Sequence, residues 1–116
     1  MAMDKQEIRI QQDIVLHYNN TYCLPAHPHR SLIAHIPNEG QQHLVSVGLL
    51  PGFSDLYIIH NTGATLHHIY IEVKTAMGTQ RPSQIAFEAR IKSMGLQYHV
   101  VRSLDEFKHI ITNLPK

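Results

Sequence analysis

The sequence predicts an α/β layer structure on a small mixed sheet, in the order helix, three strands, helix, strand, helix. Three observations lead there. Apolar residues recur at helical spacing near both ends of the chain, short apolar and alternating runs fill the middle, and a proline-opened, glycine-closed helical stretch separates the third strand from the fourth. The 116 residues suffice for one hydrophobic core and not for two, so 1–116 reads as a single domain.

Asp4 with Glu7 reads as a capping box opening a helix, whose apolar face runs through Ile8, Ile14, Val15 and Tyr18 until Asn19-Asn20 stops it. Glu7, Gln11 and Tyr18 share one stripe of that helix. Residues 21–30 contain Pro25 and Pro28 and form an irregular connection, and His27-Pro28-His29 within it supplies at most half a metal shell and reads as surface loop. Ser31 to Ile36 is the first strand, closed by the turn Pro37-Asn38-Glu39-Gly40. Residues 41–50 fit either a short helix or a loop, and Pro51-Gly52 makes a further turn. Asp55 to His60 and His67 to Lys74 follow as second and third strands, joined through Asn61-Thr62-Gly63-Ala64 as an antiparallel hairpin.

Pro82 suits the first turn of a helix that Gly95 ends, with Gln84, Phe87, Ile91 and Met94 on its inward stripe. Residues 97–101 are the fourth strand, and the helical crossover before it favours parallel pairing with the third. Ser103 and Glu106 cap a closing helix whose inner face is Phe107, Ile110, Ile111 and Leu114.

Ten Lys and Arg against nine Asp and Glu leave a formal charge of +1, which excludes a chain-wide pull toward nucleic acid and leaves only local patches. The ten histidines make the surface more cationic below neutral pH. Cys23 is the single cysteine, so no internal disulfide forms, and it reads as a small semi-buried thiol in a reducing compartment. The first residues lack an apolar signal core, and no apolar run approaches the roughly 18 residues of a membrane span. The expectation is a soluble, cytoplasmic protein with no membrane partner.

The chemistry concentrates between Pro51 and Gln84. Residues two apart on a strand share a face, so Glu72 and Lys74 point together while Val73 points into the core. A hairpin closing at Asn61 to Ala64 sets Asp55 opposite Glu72 or one diagonal away. Two carboxylates, a lysine and the carbonyl of Val73 would then meet at one edge, a hard-oxygen set suited to Mg²⁺ or Mn²⁺. Taken alone, Glu72 and Lys74 read as an ordinary ion pair on a solvated strand face. Asp55 after Pro-Gly and an inward Gln84 are what favour a site.

These residues resemble the PD-(D/E)XK nuclease superfamily, and within it the VRR-NUC domain, a module also found at the C-terminal end of the Fanconi-associated nuclease. The resemblance runs through Glu7 with Ile10-Gln11, Pro37 to Gly40, Gly48 to Leu56, Ile71-Glu72-Val73-Lys74, Gly78 with Gln84, Gly95 and Val100 to Phe107. Ser54 departs from the pattern, where the family usually has proline. The resemblance implies a restriction-endonuclease-like αβββαβ core with a C-terminal helix. It implies Asp55 and Glu72 as metal ligands, Val73 as a carbonyl ligand, Lys74 as catalytic lysine and Gln84 lining the site. Glu7 matches an acidic position on the first helix and is a further candidate ligand, or only a capping residue. Asn38, Glu39 and Gly40 match a turn near the site.

The expected activity is Mg²⁺- or Mn²⁺-dependent hydrolysis of DNA phosphodiesters, with Arg81, Arg90, Lys92, Arg102 and Asn38 as candidate DNA contacts. Stand-alone members of the family resemble junction-resolving homodimers, so the expectation is a homodimer acting on four-way (Holliday) junctions, matched through DNA shape rather than bulk charge. The alternatives are a flap or branched-DNA nuclease, a non-catalytic DNA-binding module, and a ribonuclease or toxin-like enzyme on the same scaffold.

Overall fold

A computed structural model describes residues 4–37 and 42–116. The order is helix α1 (Lys5–Tyr22), strand β1 (Leu32–His35), a 3-10 helix (Gln42–Val47), strands β2 (Leu56–Asn61) and β3 (Leu66–Val73), helix α2 (Pro82–Ser93), strand β4 (Gln97–Val101) and helix α3 (Leu104–Thr112). The four strands form one sheet in the order β1-β2-β3-β4. β1, β2 and β3 are antiparallel, and β4 joins β3 in parallel across the α2 crossover. This is the mixed α/β sheet that the sequence predicts.

Alternation along the strands divides the core in two. Leu56 and Ile58 of β2, Ile69, Ile71 and Val73 of β3 and Val101 of β4 are buried with Ile14 and Tyr18 of α1 and Phe107 and Ile111 of α3. A smaller cluster on the opposite face gathers Phe87 and Ile91 of α2 with Tyr98 and partly buried Phe53 and Tyr70. Phe53 and Phe87 pack as tilted rings with centroids 4.6 Å apart.

Three local expectations shift. Helix α1 continues past Asn19-Asn20 to Tyr22, because Tyr22 packs on Tyr18 at 5.0 Å and on His60 at 4.9 Å and tertiary contact outweighs the local stop. Ile8 is exposed, since the stripe that packs on the sheet is Ile10, Ile14 and Tyr18, and Ile8 lies about 200° around the helix from Ile10. Met94 is exposed as well, because it is the C-cap of α2, where the chain turns outward into Gly95 at φ 76°. Residues 42–47, left between helix and loop by the sequence, form the 3-10 helix.

The turn ahead of β2 is locked to α2. Gly52 has φ 78°, and a Cβ there would come within 2.2 Å of the Ser83 carbonyl oxygen. Only glycine permits this approach, which brings the chain segment carrying Asp55 against the first turn of α2.

Candidate active site

Three elements converge at one end of the sheet. The end of β3 supplies Glu72 and then Lys74, the residue before β2 supplies Asp55, and the first turn of α2 supplies Gln84. Leu56 pairs with Ile71, so Asp55 falls opposite Glu72 one step further along the ladder, as the hairpin spacing predicts. Val73 points the other way and is fully buried against α1 and α3.

Each group is held by its surroundings, Asp55 by backbone and Glu72 by side chains. Oδ2 of Asp55 accepts a 2.7 Å bond from the Val73 amide. The backbone amide of Lys74 donates to the Val101 carbonyl, and its Nζ lies 3.5 Å from Glu72 Oε2. Glu72 is only 1% exposed, and both of its oxygens are occupied. Tyr98 donates its hydroxyl to Oε1 at 3.1 Å, and Gln84 Nε2 donates to Oε2 at 2.5 Å. Gln84 also accepts the Arg81 backbone amide on its own Oε1 at 2.8 Å, so one side chain caps α2 and orients the carboxylate.

Burial raises both carboxylate pKa values. For Glu72, burial and then the neighbouring Asp55 charge push it up to about 7, against the opposing pull of Lys74 and Tyr98. For Asp55, burial again dominates, tempered by the Val73 amide and Lys74. Tyr98 is itself pushed up, chiefly by burial and then by Glu72, so it remains a hydroxyl donor. Two carboxylates that disfavour each other's charge form a place where a cation is stabilised. The donors are hard oxygens, and Mg²⁺ characteristically takes one or two protein carboxylates and keeps waters, so the residues fit such an ion.

Other candidates fall elsewhere. Glu7 is half-buried in the first turn of α1 and close enough for its charge to raise the Asp55 pKa. Among the described residues, no three His, Cys, Asp or Glu side chains gather to hold a metal. Its predicted capping partner Asp4 instead accepts from the Gln6 amide at 2.7 Å. Asn38, Glu39 and Gly40 lie outside the described residues. Arg90 and Lys92 are exposed in the last turn of α2, six and eight residues beyond Gln84, or roughly 9 and 12 Å along the helix axis. Lys92 is also paired with Glu88 at 2.6 Å. Arg81 is the N-cap of α2. Arg102 turns its guanidinium inward, onto the carbonyls of Thr75 and Gly78.

Sequence reasoning missed Tyr98 and His35. Tyr98 pairs with Tyr70 in the parallel ladder, which sets it diagonal to Glu72 on the same face. That register, once fixed, would have revealed it. The Nδ1 of His35 lies 2.9 Å from the Asp55 carbonyl oxygen and 3.1 Å from Gln11 Nε2, so the ring sits between α1 and the backbone that carries the first carboxylate. Ser54 is fully buried and donates to the Leu56 carbonyl at 3.1 Å, so it braces the same turn from the other side.

No protein-family model and no curated protein matches the sequence significantly. Solved structures do. A structure titled "VRR_NUC domain protein" superposes with a TM-score of 0.69 at 19% identity, over 96% of this chain and 88% of that one. Another, titled "VRR_NUC domain", gives 0.67 at 20% identity, over 97% of this chain and all of that one. From helix order to sheet topology, the chain has the fold of the VRR-NUC domain.

Proposed function

We propose that this chain is a Mg²⁺- or Mn²⁺-dependent DNA endonuclease that cuts branched DNA, with four-way junctions as its preferred substrate, and acts as a homodimer. The observation that carries the reading is the pair of a partly buried Asp55 and a fully buried Glu72, facing each other at one end of the sheet with Lys74 beside them. Burial without full neutralisation is costly for stability, and such arrangements concentrate at functional sites. Two solved structures with this fold are titled as VRR_NUC domains, which agrees with a nuclease.

Asp55 and Glu72 would hold the ion, with the Val73 carbonyl as a third oxygen. A bound divalent ion supplies Lewis-acid polarisation and neutralises charge at the phosphate. The chain's own groups set the rest. Gln84 and Tyr98 fix the plane of the Glu72 carboxylate before any substrate arrives, and the Val73 amide does the same for Asp55. Lys74 lies next to Glu72 with its ammonium held largely out of water, where it can hydrogen-bond a phosphate oxygen and stabilise the charge that develops there.

For a dimer, the β1 edge of the sheet offers a pairing surface. β1 is one of the two outer strands, Leu32 on it is half exposed, and Leu16 on the adjoining helix is more exposed still. Residues 31–36 carry no Lys, Arg, Asp or Glu to discourage edge pairing. A two-fold pair would present two sites to a two-fold substrate.

The test uses purified protein with Mg²⁺ or Mn²⁺ on a four-way junction, a flap and a linear duplex of shared sequence, as DNA and as RNA. Expected are metal-dependent cutting, a preference for the junction, loss of cutting in Glu72→Ala and Lys74→Ala, and a dimer mass by light scattering. Metal-independent cutting, or full activity in either variant, would overturn the site assignment. Binding without cutting in either ion would instead mark a DNA-binding module.

A further inference from the structure

The loop between β3 and α2 carries an apolar side chain held out into solvent. Met77 is 90% exposed, the highest value among the large exposed hydrophobics described. It lies three residues beyond Lys74, at the tip of a turn closed by the bond from the Gly78 amide to the Thr75 carbonyl at 3.1 Å. That turn is packed back on the site: a Cβ at Gly78 would lie 3.1 Å from Thr75 Oγ1 and 3.6 Å from the Lys74 Cβ.

The tip is not a loose loop end. One nitrogen of Arg102, Nη1, donates to the Thr75 carbonyl at 2.6 Å, to Gly78 at 2.7 Å and more distantly to Ala76 at 3.4 Å. Carbonyls on both sides of Met77 are thus tied to one guanidinium. The backbone amide of Arg102 is anchored in turn to Glu106 Oε1 at 2.6 Å, at the start of α3. An arginine beside a candidate phosphate-cutting site is thereby spent on rigidity. What it makes rigid is an exposed methionine.

We propose that residues 75–78 form a wedge that enters the branch point of the DNA, with Met77 as the inserting side chain and Arg102 as the positioning residue that holds it. The proposal rests on the nuclease reading of the neighbouring site. Apolar side chains inserted between base steps unstack them and bend the duplex, which is least costly where stacking is already broken. A branch point is such a place. With a formal charge of only +1, the chain has little general attraction for phosphates, and insertion gives it a way to favour branched over continuous duplex.

The experiment pairs two readouts on wild type, Met77→Ala, Met77→Leu and Arg102→Ala. In Mg²⁺ the ratio of junction to linear-duplex cutting is measured. In Ca²⁺, with strands kept intact, a 2-aminopurine at the branch point reports unstacking through its fluorescence. Wild type should brighten the probe. Met77→Ala should lose the brightening and lower the cutting ratio about tenfold, Met77→Leu should restore both, and Arg102→Ala should behave like Met77→Ala. Because Met77 is almost wholly exposed, its alanine variant folds, and circular dichroism separates any unfolding of Arg102→Ala from a loss of the wedge. A Met77→Ala protein that brightens and discriminates like wild type overturns the proposal while the nuclease stands. Wild type that brightens the junction without cutting any DNA defeats the nuclease reading and supports the wedge. Wild type that neither binds nor cuts defeats both.

Discussion

Glu72 is a carboxylate with almost no contact with water, and its pKa of about 7 against an ordinary 4.5 ties stability to pH. Because the folded-state pKa is the higher, its contribution is fully present below about pH 4.5 and is lost as pH rises through 7. In the metal-free protein, Glu72→Gln should therefore gain stability relative to wild type between pH 5 and pH 8, by roughly 1–3 kcal/mol in denaturant titrations. An equal difference at both pH values would show that the carboxylate is already relieved by its neighbours. Tyr98 acts on the same group through one hydroxyl. Tyr98→Phe keeps the ring against Phe87 and removes only the bond to Oε1, so Mn²⁺ affinity by calorimetry and cutting rate should each fall about 10-fold or more, with the melting temperature little changed. Unchanged Mn²⁺ affinity would exclude an orienting role. The pair Asp55 and Glu72 was legible in the sequence because a two-residue period and a turn position are enough to set it. The role of Tyr98 was not, since it depends on the register of a parallel ladder that no local pattern fixes.

Between elements, the site depends on how closely α2 approaches the turn before β2. Gly52 is where they touch, and its substitution joins two penalties: a positive φ and a Cβ at 2.2 Å from the Ser83 carbonyl oxygen. Gly95, at φ 76° with open space around it, carries the first penalty alone. Gly95→Ala should cost about 1 kcal/mol, while Gly52→Ala should cost on the order of 3 kcal/mol and also weaken metal binding, because Asp55 and Gln84 lie on the two sides of that contact. Equal losses in the two variants, read by thermal melting and Mn²⁺ titration, would mean that the turn relaxes away from α2 without consequence. The sequence disclosed a turn at Pro51-Gly52 and a helix start at Pro82, yet nothing in it showed that the two are in contact. The same holds for Arg102: composition made it a candidate phosphate contact, and only the path of residues 75–78 shows it bound to carbonyls. Helix caps and strand periods are written locally, so β4 and its parallel partner were anticipated, whereas contacts between loops come from the packing of the whole chain.

For the whole molecule, the relevant quantity is how little net charge accompanies the site. The formal charge is +1, Lys92 is neutralised by Glu88, and the Arg102 guanidinium is engaged within the protein. Each phosphate neutralised by a protein cation releases counterions and adds about 0.9 to the salt slope on duplex DNA. If affinity comes from shape and insertion, few such pairs form, and a junction bound by the Glu72→Gln protein should show a slope of magnitude about 2–4 in log affinity against log salt. Histidine makes the same measurement sensitive to pH. His17, His60 and His99 are held below their ordinary pKa, chiefly by burial, and so contribute less positive charge on acidification than free imidazoles would. Affinity for the junction should accordingly rise modestly from pH 8 to pH 6, with the slope steepening by no more than a phosphate contact or two. Fluorescence anisotropy across 50–200 mM salt at both pH values decides between the two modes of binding. A slope near 8 at pH 8 would mean that a cationic surface, and not the shape of the branch, holds the DNA.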